Sequence, residues 1–287
     1  MTDKRTPPPH RADIHADAAP HIDTSVPHPA RRYNYWLGGK DHFEADRVSG
    51  DAIARAYPSV RIAAVENRGF LLRAVRFLAQ HGISQFLDVG AGLPGPVNVH
   101  DIAQQVDPTA RVLYVDNDPI VGSHARALLT GDPHGHTDYL HADVRDPASI
   151  LTSATLAATL DLSRPVGLLL VAVLHFLPDH DRPHELVAQL LHPLATGSHL
   201  VLSHGTADTW TDDQRAALPG LTAGDAAPYT PRSRDHITDL AAGLDLVEPG
   251  IVSVAAWRDD QRTDTDRPSH ADVSCYGLVA RKPGRLR

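Results

Sequence analysis

From residue 84 to residue 205 the sequence alternates between short apolar runs and segments of helical period, and this restricts the fold more than any single motif. "SQFLDVG", "RVLYVD", "TDYLHADV", "VGLLLVAVL" and "GSHLVLSHG" read as strands. Between them, "VNVHDIAQQVD", "DPIVGSHARALL", "PASILTSATLAATL" and "DRPHELVAQLL" read as helices, with Pro119 suited to a first turn. Strands that are apolar almost throughout are buried on both faces. A parallel sheet covered by helices is therefore expected.

The end of the chain breaks this rhythm. "DTWTDDQRAAL" and "SRDHITDLAAGL" are helical, the second opened by Ser233, and the Gly/Pro-rich "PGLTAGDAAPYTP" between them reads as a loop. Two strands, "LDLVEPGIVSVAAW" and "ADVSCYGLVARK", then follow with only a polar connection, so they pair antiparallel. The expectation is an α/β, Rossmann-like fold: a mostly parallel seven-stranded sheet closed by a C-terminal antiparallel hairpin. Ahead of it, "ADRVSGDAIARAY" and "SVRIAAVENRGFLLRAVRFLAQHG" predict two helices before the first strand. The divisions expected are a disordered tail over 1–27, an N-terminal lid and cap helices over 28–82, and the core over 83–287.

Composition excludes several classes of partner. The net charge is −8, from 35 acids against 27 Lys plus Arg, which offers no basic stripe for a phosphate backbone. No run reaches the ~18 apolar residues of a membrane span, and the N-terminus has no apolar signal region. A cytoplasmic protein is expected, without nucleic acid or membrane as partner and with its oligomeric state open. The single cysteine, Cys275, lies in an apolar run and reads as a small buried residue. His180 and His184 are four apart but separated by Pro183, so no metal is expected, and Ser203-His204 has no nucleophile elbow.

The first strand runs into "FLDVGAGLPGP", in which Gly90, Gly92 and Gly95 spell G-x-G-x-x-G. Such a loop brings backbone close to a nucleotide-like ligand, and Asp116, at the end of the second strand, is where a ribose would be gripped. Spacing alone does not choose between a dinucleotide and another adenosyl compound. Pro94 and Pro96 do, because each removes an N–H that a pyrophosphate would need. Asp88 points the same way: its carboxylate would repel a diphosphate and suit a sulfonium or ammonium cation.

These residues resemble the motifs of class I S-adenosylmethionine-dependent methyltransferases over roughly 83–281. "FLDVGAG" is similar to the first motif, covering Asp88, Gly90, Ala91 and Gly92. "LYVDND" resembles the second, which implies that Asp116 takes the ribose hydroxyls and that Asn117 lies beside the adenine. "HADVRDP" resembles the third, implying that Asp143 accepts from the adenine amino group while the Val144 backbone meets the ring. "LLLVAVLHFLPD" resembles the fourth-strand segment, whose backbone at Ala172 and Val173 would face the methionine amino group. With "RRYNYWLGGKDHF" and "YVDNDPIV" added, the chain from about residue 25 resembles a bacterial family of S-adenosyl methyltransferases that was long without a defined function. Gly95-Pro96 departs from it, standing where a small polar residue is expected after "GLP".

The resemblance implies S-adenosyl-L-methionine as cofactor and in-line methyl transfer to a small-molecule or peptide acceptor, a reaction that rests on alignment at near-attack distance. Tyr33 to His42 is expected to act as a lid, the bland alternative being an N-terminal staple of aromatic side chains. Asn34, Arg31 and Lys40 would supply its polar contacts to the cofactor, Arg31 or Lys40 pairing with the methionine carboxylate. His175, just past the fourth strand, is the expected catalytic base or substrate contact. The competing readings are a non-catalytic S-adenosylmethionine sensor and a nicotinamide-dependent oxidoreductase.

Overall fold

The computed structural model describes residues 22–128, 131–222 and 227–284. Five parallel strands form most of the sheet: β1 (Gln85–Val89), β2 (Arg111–Asp116), β3 (His136–His141), β4 (Gly167–Val171) and β5 (His199–Gly205). Beyond β5 lies the antiparallel β8 (Cys275–Arg281), with β6 (Asp245–Leu246) and β7 (Val252–Ser253) along its far edge. The strand order is β3-β2-β1-β4-β5-β8-β6, with β7 also on β8. Among the described residues, eight strands thus fill seven places. The single strand predicted over 244–257 is interrupted at Pro249, which has no N–H to give a ladder, and at Gly250, whose φ is +79°.

Side-chain alternation separates two cores. On one face Leu87, Leu113, Leu168, Leu170, Leu200 and Leu202 pack together, and on the other Phe86, Val112, Leu169 and Val201 do so. Each fully buried Leu or Phe contributes roughly 1.5–3 kcal/mol, so these faces fix the strand register. Asp88 belongs to the second face. Two helices cover it there: α3 (Val60–Gln80), burying Phe70, Ala74 and Leu78, and α4 (Val99–Val106), burying Ile102 and Ala103.

Among the described residues, three helices rather than two precede β1. The extra one is α1 (Pro29–Trp36), capped by His28 and ended by Gly38 at φ +80°, the left-handed turn that "GG" permits. It packs on α2 (Glu44–Ala56) and α3 through polar tips of aromatic rings. Tyr33 donates to the Ala64 carbonyl at 2.9 Å, Tyr35 to Asp51 at 2.8 Å and Trp36 to the Gly50 carbonyl at 3.3 Å. Of the tail expected over 1–27, residues 1–21 lie outside the described residues.

Other boundaries shift for local reasons. The helix predicted over 147–160 is two, α6 (Pro147–Leu151) and α7 (Ala154–Thr159), because Ser153 caps the second by accepting from Leu156 N. After α5 (Pro119–Leu128) and α8 (Pro183–Leu191), α9 (Asp212–Leu221) continues past Pro219, where a loop was expected, and α10 (Arg234–Asp239) starts at Ser233 as read. The last predicted strand opens as a turn of helix, α11 (His270–Val273), before Ser274 reverses the chain into β8.

Candidate functional site

A chain that builds β1, β2 and β3 outward in one direction and then places β4 on the other side of β1 leaves a crevice at the carboxyl ends of those strands. A cavity of about 410 Å³ opens there. Asp88, Gly90, Ala91, Gly92, Asp116, Asn117, Asp143, Val144, Ala172, Val173 and His175 all line it. The strand ends bring together positions that are up to 87 residues apart in sequence.

The glycine loop presents few free amides. Gly90 and Ala91 donate to the Val115 carbonyl, Gly92 to Asp116 at 2.8 Å and Gly95 to Asn98 at 2.9 Å. Asn98 caps α4 and itself donates to Asp101 at 2.7 Å. Positions 94 and 96 are proline. A diphosphate would find its usual donors occupied or missing.

Carboxylates stand where those donors do not. Asp88 is 4% exposed, and burial pushes it up to about 7, with Arg68 opposing and Asp116 adding to the rise. Asp116 is pushed up to about 6 by burial, against the amides of Asp118 and Gly92. Its two oxygens brace the loop yet keep lone pairs for a ligand. Next to it, Asn117 donates to Asp143 at 2.8 Å, and Asp143 also accepts from Arg145 N at 2.8 Å. This pair forms one side of the cavity.

β4 stops at Val171 because Ala172 turns left-handed, with φ +56°. Its amide donates to the Ser203 hydroxyl at 2.9 Å, Ser203 donates to Asn67, and Asn67 donates to the Tyr33 hydroxyl at 2.9 Å. A non-glycine residue in this region costs of order 1–3 kcal/mol and persists because the surroundings hold it. The chain then places His175 against Tyr229, Phe176 and His204. Its Nδ1 accepts from Gly205 N at 3.2 Å, and burial holds the ring well below the usual histidine range. A neutral ring so held carries its proton on Nε2, where it donates and does not take up a proton. That geometry suits a substrate contact and not a general base.

The sequence pattern of the S-adenosyl methyltransferase family matches residues 15–283. The chain belongs to this family. Two solved structures resemble it along nearly its whole length. One, a DUF574 family protein from Streptomyces avermitilis, is 44% identical, covering 92% of this chain and all of that one at a TM-score of 0.87. The other, a candidate methyltransferase from Thermobifida fusca, is 39% identical, covering 95% of this chain and all of that one at a TM-score of 0.84. No curated protein matches the sequence significantly. Among the described residues, no helix of the methyltransferase is long and apolar enough to cross a membrane.

The N-terminal contacts of this methyltransferase differ from the expectation. Arg31 lines the cavity, but its guanidinium bonds Asp118 at 3.0 Å and the Asp23 carbonyl at 3.1 Å, clasping α1 to the loop after β2. Asn34 and Lys40 do not line it. Asn34 accepts from Asp41 N at 3.0 Å and holds the Gly38-Gly39 turn, while Lys40 is exposed. Being next to a motif in sequence did not place them at the cavity.

Arg68 is the cation that does reach the glycine loop. From α3 it donates to the Val97 carbonyl at 2.6 Å and to Asn98 at 3.2 Å, beside Asp88. Beyond His175 the wall is aromatic. Trp210 stacks on Tyr229 with 6.3 Å between centroids and 14° between planes, and Tyr57 lies 6.0 Å from Trp210. None of these four residues carries a motif, because they meet only when α2, α3 and the loops after β5 and α9 fold over one end of the sheet.

The raised Asp88 sets a pH dependence. A cationic ligand bound beside Asp88 would favour the carboxylate, so its affinity is expected to be full above about pH 7 and to weaken by about tenfold per pH unit below it. Asp116, raised to about 6, adds to the loss further down. Calorimetry with S-adenosylhomocysteine, which keeps the ammonium group, reads this directly. A flat profile from pH 5.5 to 8.5 would remove Asp88 from the ligand's surroundings.

Proposed function

We propose that the methyltransferase binds S-adenosyl-L-methionine across the ends of β1, β2 and β3 and passes its methyl group in line to a small-molecule or peptide acceptor held toward β4 and β5. The observation that carries this reading is the glycine loop whose amides are occupied while Asp88 and Asp116 face the cavity. Asp116 would take the ribose hydroxyls, with Asn117 and Asp143 at the adenine and Val144 against its ring. The Ala172 carbonyl and Asp88 would receive the ammonium group, and Arg68 the methionine carboxylate in place of Arg31 or Lys40. Removing water and fixing the acceptor against the methyl carbon would supply most of the rate.

Calorimetry with S-adenosylhomocysteine and with NADH tests the assignment. Binding of the first alone is expected, and tight binding of NADH would reject it. His175→Ala is expected to leave S-adenosylhomocysteine affinity within about twofold while slowing transfer, since the ring touches the acceptor side only. Wild-type turnover in that variant would take His175 out of the reaction. Cofactor binding without transfer to any member of a broad acceptor panel would favour the sensor reading.

A further inference from the structure

The acceptor end of the cavity differs in chemistry from the cofactor end. Among the described residues, the four carboxylates that line the cavity come from the carboxyl ends of β1 and β2, Asp88 and Asp116, and from the loops after β2 and β3, Asp118 and Asp143. The acceptor end is built instead from Tyr57, His175, Phe176, Trp210 and Tyr229, with apolar walls from Ile53, Leu218 and Leu221. Tyr229 lies over Gly205, where any Cβ would collide with its hydroxyl, so the ring is set deep between β5 and the aromatic wall.

The polar groups at this end are mainly donors. The indole Nε1 of Trp210 is buried and has no hydrogen-bond partner among the described residues. His175, its Nδ1 occupied by Gly205 N, offers Nε2–H. Gln214 has its carbonyl bonded to Thr211 N at 3.0 Å, which leaves its NH₂ group. The Tyr229 hydroxyl can act either way, while the Ser274 hydroxyl is taken up by the Ala271 carbonyl at 3.0 Å and by Thr209 at 2.8 Å.

The local charge has the same sign. Arg232 is 5% exposed behind His175 and bonds the carbonyls of Leu174 and Leu177 and Nε2 of His204. Its carboxylate partner, Asp179, is 87% exposed, so water screens the negative end of the pair while the positive end stays inside. An ammonium ion in the aromatic wall would be attracted by the rings but would lack a counter-charge and meet Arg232. A neutral amine would find few acceptors for its N–H groups. An oxyanion on a flat ring satisfies both the donors and the field.

Building on the cofactor reading above, we infer that the acceptor is a planar aromatic or enolic compound that attacks through an ionised oxygen. The oxygen donates an electron pair to the methyl carbon, the C–S bond breaks with its pair returning to sulfur, and an O-methyl ether and S-adenosylhomocysteine result. The acceptor's proton has passed to water before binding, so no base is required at this end. Trp210 and His175 would hold the oxyanion, and the aromatic wall the ring.

The test uses the protein loaded with S-adenosylhomocysteine and a matched pair of probes, 4-nitrophenol and 4-nitroaniline. Below the ionisation midpoint of free 4-nitrophenol, adding the loaded protein is expected to raise the yellow phenolate absorption, because the anion is bound preferentially. 4-Nitroaniline is expected to bind at least about tenfold more weakly, having lost the charge-assisted hydrogen bonds. Trp210→Phe should weaken phenolate binding about tenfold to a hundredfold and leave S-adenosylhomocysteine affinity unchanged. Binding of 4-nitrophenol in its neutral form, equal affinity for the aniline, or no binding of either probe to the loaded protein would overturn the inference alone. Failure of S-adenosylhomocysteine to bind the wild type would instead overturn the cofactor reading beneath it. The spectrum of the wild type decides the matter even if the variant does not fold.

Discussion

Asp116→Ala is expected to lower the affinity for S-adenosylhomocysteine by about tenfold to more than a hundredfold. The deleted carboxylate would lose charge-assisted hydrogen bonds to the ribose worth on the order of 1.5–3 kcal/mol. A second effect adds to the first. Gly92 N and Asp118 N, which donate to this side chain at 2.8 and 2.9 Å, would lose their acceptor, and the loop would loosen around the ligand. Asp116→Asn separates the two, since an amide oxygen can keep one backbone donor while the charge is gone. Calorimetry on both variants, with a melting curve for each, resolves the contributions. Wild-type affinity in Asp116→Ala would reject the ribose assignment.

The features legible in the sequence were those set by local pattern. Alternation of apolar runs with helical period located β1 to β5, and the polar gap between two late strands announced the antiparallel edge. The prolines at 94 and 96 announced a loop poor in donors, because an N–H is missing whatever the fold. Residues at strand ends, Asp116, Asn117, Asp143 and Ala172, reached the cavity because a parallel sheet directs its carboxyl ends there. What could not be read depends on long-range packing. Arg68 reaches the glycine loop because α3 packs alongside α4, whose N-terminal end follows that loop, and Tyr57, Trp210 and Tyr229 converge from three separate segments. Asn34 and Lys40 show the converse. Asn34 shares α1 with Arg31, but its side chain braces the Gly38-Gly39 turn instead, and Lys40 lies beyond that turn, exposed. Ser153 was a cap inside what looked like one continuous helix, a signal that was present but outweighed by the apolar period around it.

The second large effect is expected at Gly90, where two constraints fall on one atom. The residue has φ +77°, so an alanine there would be strained by about 1–2 kcal/mol before any contact is considered. Its Cβ would also come within 2.5 Å of Val173 Cγ2 and 2.7 Å of Val173 Cβ. Overpacking of that kind costs typically 1–3 kcal/mol more, so Gly90→Ala should destabilise the protein by roughly 2–5 kcal/mol. The loop would move to relieve the clash, and a shift near 1 Å at a reacting centre can cost about a hundredfold in rate. The steric share can be isolated. Val173→Gly removes the three atoms nearest to the new methyl, so the double variant should be less damaged than the sum of the single ones, by a coupling of about 0.5–3 kcal/mol. The strain at φ would remain, and Gly90→Ala/Val173→Gly should still be less stable than Val173→Gly alone. Strictly additive unfolding free energies would mean that β1 and β4 can part without loss, and that the narrow approach of Gly90 to Val173 has no part in shaping the cavity.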